Sequence, residues 1–175
     1  MNKLHSNNRG LTLVELIVVV AILGIVSVGS IGAIGLLHST SAKETTTKLN
    51  SALSKARTES MSRAQASMKL YAEDSSYYVQ YTINNKEEPP IKIGNSRVTI
   101  TYTDTNGMTY EINENAVGEN AALNTKESIV IEFNRETGGF KPISGTNYCK
   151  KFAVTSAGKS YELECQKLTG KIVMK

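Results

Sequence analysis

Histidine and cysteine occur only twice each in 175 residues, and no C-x-x-C or H-x-x-x-H spacing is present. A structural metal therefore lacks its ligands, and no cofactor is expected. Three prolines and 13 glycines are too few for a collagenous chain or a low-complexity linker. With 40% apolar and 21% charged residues the chain is also too apolar for wholesale disorder. The length leaves room for one folded domain plus one special segment and excludes a multidomain enzyme. No nucleophile, base and orienter can be assembled, so an enzyme is not expected.

Charge is sparse overall but unevenly placed. The net charge of +4 conceals a basic stretch over 38–71, an acidic middle over 72–140 and a basic stretch over 141–175. Two readings stay open: solvated faces that alternate, or complementary surfaces that meet between copies, with Lys150 and Lys151 as the residues to reverse. This modest net charge comes without a recognition motif, so no specific nucleic acid is expected as a partner.

One long apolar run is present, Leu11–Leu37. As a helix it would reach about 40 Å, enough for a hydrocarbon core of about 30 Å. Lys3, His5 and Arg9 precede it, and the positive-inside tendency keeps that leader in the cytoplasm and sends the remainder outward. His5 and His38 then fall on opposite sides of the membrane and share no site. A secretory signal peptide, cut near Ser27-Val28-Gly29, is the plainer alternative. Glu15 argues against it, because a carboxylate inside the run costs roughly 2–3 kcal/mol at mid-membrane and has no role in a discarded peptide.

The residues around that charge, Arg9-Gly10-Leu11-Thr12-Leu13-Val14-Glu15-Leu16, resemble the class III signal of type IV pilins and the related pseudopilins. The resemblance implies cleavage by a prepilin peptidase between Gly10 and Leu11 and methylation of the new Leu11 amine. Phenylalanine is commoner at that position, so Leu11 departs from the usual residue. It also implies partners: the prepilin peptidase and methyltransferase, an assembly ATPase, a membrane platform protein and other pilin subunits. The implied location is the cytoplasmic membrane, with the head outside, and then a surface filament.

Cleavage before Leu11 leaves the apolar helix on the product. If such helices pack together, each Glu15 carboxylate needs a counterion, and the Leu11 ammonium of a neighbouring copy is available. That pairing would select one axial register, as a single buried polar residue does in a coiled coil. Gly24, Gly29, Gly32 and Gly35 permit close helix approach. For Gly29–Gly35, unwinding on assembly and ordinary packing in a straight helix are both open.

Beyond Leu37, residues Leu49, Leu53, Ala56, Ser60, Ala64 and Met68 follow spacings of three and four, predicting one helix that continues to about residue 70. The rest reads as strands: Tyr77–Ile83; Arg97–Tyr102 with Met108–Ile112 across Asn106-Gly107; Ser128–Phe133 with Phe140–Ile143 across Glu136–Gly139; Phe152–Thr155 with Ser160–Cys165 across Ala157-Gly158; and Lys171–Met174. The expected fold is α+β, a long N-terminal helix packed on an antiparallel sheet. The implied divisions are a leader over 1–10, a membrane or filament-core helix over 11–37, an amphipathic helix over 38–70 and a head over 71–175.

Cys149 and Cys165 both lie in the part expected outside, where disulfides persist, and two cysteines allow one intramolecular bond. Many type IV pilins close a C-terminal loop with such a pair; two separate thiols are the alternative. Asp104-Thr105-Asn106-Gly107 superficially suggests a calcium loop, but a hairpin turn accounts for it. The sequence thus points to a type IV pilus subunit. Its rivals are a pseudopilin of a type II secretion or DNA-uptake system, and a membrane-tethered adhesin or binding domain that never polymerises.

Overall fold

A computed structural model describes residues 12–62, 65–114, 124–126 and 128–175. The chain divides into two units, residues 1–37 and 38–175, and helix α1, Leu13–Ser62, contributes to both.

In the first unit, the large apolar side chains of α1 between Leu13 and Ile25 are all exposed, from 48% at Val19 to 75% at Ile25. A helix apolar on every side belongs in a core or a membrane rather than at an aqueous surface. Residues 13–25 rise only about 20 Å. Among the described residues no helix is long and apolar enough to cross a membrane. Side chains of residues 26–39, the second half of the expected span, lie outside that description. The backbone at residues 29–35 is helical.

In the second unit, α1 buries Ala42, Thr45, Thr46, Leu49, Ala52, Leu53, Ala56 and Ser60 along one face. Leu49, Leu53, Ala56 and Ser60 of the expected stripe are on it. The helix stops at Ser62, short of residue 70. Ala64 lies outside the described residues, and Met68 belongs to strand β1, Ala66–Glu73. Its segment also satisfies a period of two: Met68 and Leu70 are buried while Lys69 is exposed. Backbone pairing along both edges of β1 decides in favour of the strand, overriding a helical pattern that no glycine or proline interrupts. The Ser60 hydroxyl donates to the Ala66 carbonyl at 3.1 Å and ties the two elements together.

Two sheets follow instead of the single one expected. Sheet 1 has the order β3-β2-β1-β8, with β4 also pairing with β2. Its strands are β1, β2 (Ser76–Ile83), β3 (Lys86–Glu87), β4 (Ile91–Asn95) and β8 (Ser128–Glu132). Pro89 and Pro90 fall between β3 and β4, where a missing N–H breaks what would otherwise be one strand along β2. Sheet 2 has the order β11-β10-β9-β5-β6-β7. It comprises β5 (Thr99–Asp104), β6 (Thr109–Ile112), β7 (Asn124–Lys126), β9 (Cys149–Ser156), β10 (Lys159–Cys165) and β11 (Ile172–Met174). All its pairings are antiparallel except β6 with β7.

The β5–β6 and β9–β10 hairpins match the expected ones. The Ser128–Ile143 hairpin forms only at its tip: the Asn134 N–H donates to the Gly139 carbonyl at 2.7 Å and the Lys141 N–H to the Glu132 carbonyl at 2.8 Å around an antiparallel Phe133–Phe140 bridge, while the rest of β8 pairs with β1. Sequence reasoning also passed over the β1–β2 and β2–β3 hairpins. Their turn residues, Asp74-Ser75 and Asn84-Asn85, all adopt positive φ (48°, 55°, 51° and 62°), as a type I′ turn demands, but carry no glycine to announce it.

The inward faces of both sheets and the buried stripe of α1 share one core around Leu49, Leu53, Met68, Leu70, Ile100, Tyr102, Phe152 and Leu163. Further hydrogen bonds stitch the layers. The Tyr81 hydroxyl donates to the Ala52 carbonyl at 3.2 Å, and the Ile100 N–H donates to the Tyr77 hydroxyl at 3.4 Å.

Candidate assembly site and cysteine pair

Thr12 precedes the first helical residue, Leu13, so it is the N-cap and Glu15 occupies the third helical position. The Glu15 N–H donates to Thr12 Oγ1 at 3.2 Å. In return, Glu15 Oε2 accepts from the Thr12 N–H at 3.0 Å and from the Thr12 hydroxyl at 3.0 Å. The Leu16 N–H donates to the Thr12 carbonyl at 3.1 Å and starts the helical ladder. This is a capping box, which satisfies two otherwise orphaned N–H groups and places a negative charge at the positive end of the helix dipole. Sequence reasoning singled out Glu15 but not Thr12, although the T-x-x-E spacing is the signature of this box. Both bonds to the carboxylate land on Oε2, which leaves Oε1 open among the described residues. Gly10 and Leu11, the expected cleavage pair and methylation site, lie outside the described residues, and so does the Leu11 amine expected to pair with Glu15.

Cys149 opens β9 and Cys165 closes β10, and both are buried. A regular β9–β10 ladder, whose last pair is Glu164 with Lys151, would point Cys149 away from the core face that Cys165 shares with Leu163. A bulge prevents this. Along β5, Thr103 pairs with Lys151 but the next residue, Asp104, pairs with Cys149, so Lys150 is an extra residue with no counterpart. The inserted residue turns Cys149 inward, onto the same side as Phe152 and Cys165.

Both residues are thiols in this structure, not a disulfide. Burial pushes the Cys149 thiol well above its ordinary range, and the Cys165 thiol within hydrogen-bonding reach adds to the shift. The Cys149 thiol also donates to the Lys151 carbonyl at 3.8 Å, and the Cys165 thiol to the Leu163 carbonyl at 3.9 Å.

Asp104 is buried at the end of β5, and its Oδ1 accepts from the N–H groups of Asn106 (2.9 Å) and Met108 (3.0 Å). Its carboxylate is therefore committed to holding the β5–β6 turn, as the hairpin reading of Asp104–Gly107 requires. Of the two lysines named for reversal, Lys150 is exposed on the bulge, whereas Lys151 forms an ion pair with Glu162 at 2.6 Å.

The family model for the prokaryotic N-terminal methylation motif matches residues 5–31. No curated protein and no solved structure matches the chain. The matched stretch contains Gly10, Leu11, the Thr12–Glu15 capping box and the apolar start of α1. The chain thus carries a class III signal, the N-terminal methylation motif characteristic of type IV pilins and pseudopilins.

Proposed function

We propose that this chain is a structural subunit of a type IV pilus, held in the cytoplasmic membrane by its N-terminal helix and polymerised through that helix into a surface filament. The observation that carries this reading is a single carboxylate, Glu15, at the start of a helix whose large apolar side chains through Ile25 are all exposed. Such a surface calls for lipid or other helices as cover. The open Glu15 Oε1 favours pairing with the Leu11 ammonium of a neighbouring copy while the capping box stays closed. In this reading Leu11 becomes the methylated N-terminus after cleavage at Gly10, Cys149 and Cys165 close a disulfide outside the cell, and the chain has no enzymatic role.

Substitutions at Glu15 test it, because glutamine fills the third position of a capping box but carries no charge. Glu15→Gln and Glu15→Val are both expected to reach the membrane in normal amount and to be missing from filaments sheared off the cell surface. Thr12→Ala keeps the charge, loses about 1 kcal/mol of helix capping and still yields filaments. Normal filament yield from Glu15→Gln would sink the charge pairing. Long filaments in the sheared material distinguish a pilin from a pseudopilin. Cross-linking of adjacent stalks distinguishes either from a tethered domain that never polymerises.

A further inference from the structure

Sheet 2 carries opposite charge at opposite ends of its strands. Thr99 and Asp104 pair with Thr155 and Cys149, so the two ends of β5 lie about five strand steps, or ~17 Å, apart. At the Thr99 end three carboxylates, Glu73, Asp74 and Glu114, gather on the side of β1 and β6, and Glu111, opposite Thr101, lies about two strand steps further in. Glu114 Oε2 accepts the Ser75 N–H at 3.2 Å, in the turn that follows Glu73 and Asp74. Glu111 and Glu114 line a shallow cleft with Ser75 and Thr99. Burial chiefly, with the nearby Glu111 and Glu114 charges, raises the Tyr77 hydroxyl above its ordinary range. Glu73, Asp74 and Glu114 are exposed, Glu111 is half-buried, and none has a cationic partner among the described residues. Arg97 and Lys159 lie at the same end but on the side of β9, where the Ser156 hydroxyl donates to the Arg97 carbonyl.

At the Cys149 end the charge is positive. Lys150 is the extra residue of the bulge, and Lys167 Nζ sits 3.9 Å over the Tyr148 ring. Lys171 is held beside them by its carbonyl, which accepts the Gln166 N–H at 2.9 Å. All three are exposed. Other lysines of this region are already paired: Lys141 with Glu132 at 3.0 Å, Lys151 with Glu162 at 2.6 Å and Lys175 with Glu164 at 3.0 Å.

We propose that these two poles dock on each other between neighbouring copies, the Glu111–Glu114 corner of one head against the Lys150–Lys171 corner of the next. The two patches differ and lie at opposite ends of one sheet, so the contact is heterologous, the kind that propagates into an open filament unless its rotation closes a ring. Charge complementarity then fixes the order and orientation of heads, on top of the apolar contacts of the stalks. This rests on the filament reading above.

The test uses the full chain. Filaments sheared from cells are treated with a carbodiimide, which joins a carboxylate directly to an amine, and the products are mapped as peptides. Adducts linking Glu114 to Lys150 or Lys171 are expected. Glu114 lies at the Thr99 end and both lysines at the Cys149 end, and a separation of ~17 Å keeps these adducts from forming within one head, whereas Glu111, opposite Thr101, is nearer and its adducts do not count. Glu111→Lys with Glu114→Lys, and separately Lys150→Glu with Lys171→Glu, should each lower filament yield by about tenfold or more. All four changes in one chain should restore it, which also shows that the reversed heads fold. Wild-type filaments without cross-pole adducts, together with normal yield from both reversals, overturn the pole contact and leave the filament reading standing. Loss of duplex DNA binding on reversing the lysines, with filaments unchanged, assigns the basic corner to a polyanion and also overturns it. A wild-type chain that never leaves the membrane removes both readings.

Discussion

At Glu15 one side chain answers two demands. Its position in an apolar run asks for a counterion, while its spacing from Thr12 asks for a cap, and the geometry meets the second on Oε2 alone. The first demand is plain in the sequence; the second follows from a four-residue pattern that the surrounding hydrophobicity hides. The cysteines show the reverse. Their proximity in the fold depends on Lys150 being an unpaired residue, and the one trace of that bulge in the sequence is a break in alternation, two lysines between the inward Cys149 and Phe152. Closing a disulfide there should add roughly 3 kcal/mol. Its effect depends on pH. The folded thiol of Cys149 is held above its unfolded value of about 8.5, so its contribution is complete below that pH and is lost as pH rises further, because the unfolded chain ionises first. Urea midpoints of the reduced protein should therefore fall between about pH 8.5 and 10, while those of the disulfide form hold. Both forms should weaken above about pH 10, where burial, with the Glu88 charge, pushes Tyr81 up to about 12 in the fold. Equal midpoints for the two forms across the lower window would contradict this account.

Among the elements, the helix and the hairpins with glycine-bearing turns were legible, because periodicity and turn chemistry agree there. The end of α1 was not, since Ala66–Glu73 supports either period and only its two strand neighbours decide. Loop 134–140 was legible as a hairpin turn, but its meeting with loop 166–171 was opaque. They meet through the Phe140 N–H, which donates to the Lys167 carbonyl at 2.9 Å, and Arg57 Nε donates to the Gly138 carbonyl at 3.1 Å. Gly170, at φ 63°, is buried against that same carbonyl, and a Cβ there would overlap the Gly138 oxygen. Gly158, in the β9–β10 turn at φ 79°, faces open space. Alanine at Gly158 should cost about 1 kcal/mol from the left-handed backbone alone. Alanine at Gly170 adds the displacement of a neighbouring loop and should cost several times as much, measured as the shift in denaturation free energy. Comparable losses at both positions would mean that the two loops part easily.

For the whole molecule, sequence reasoning gave the class and the order of parts but not the two sheets. Charge blocks along the chain became poles only because antiparallel pairing carries the acidic turn of β1–β2 and the lysines around Cys149 to opposite ends. Stalk contacts and pole contacts should answer differently to salt, since the screening length falls from about 10 Å at 0.1 M to about 3 Å at 1 M. Filaments in 1 M salt are expected to break more readily under shear, seen as shorter lengths in micrographs, without dissolving into subunits. Unchanged lengths would mean that electrostatics between heads contributes little. Crowding many copies side by side also brings a hazard that the proline pair opposes. A sheet rim exposed at such concentration invites zipping into cross-β aggregates, and Pro89-Pro90 denies it an uninterrupted ladder on the outer side of β2.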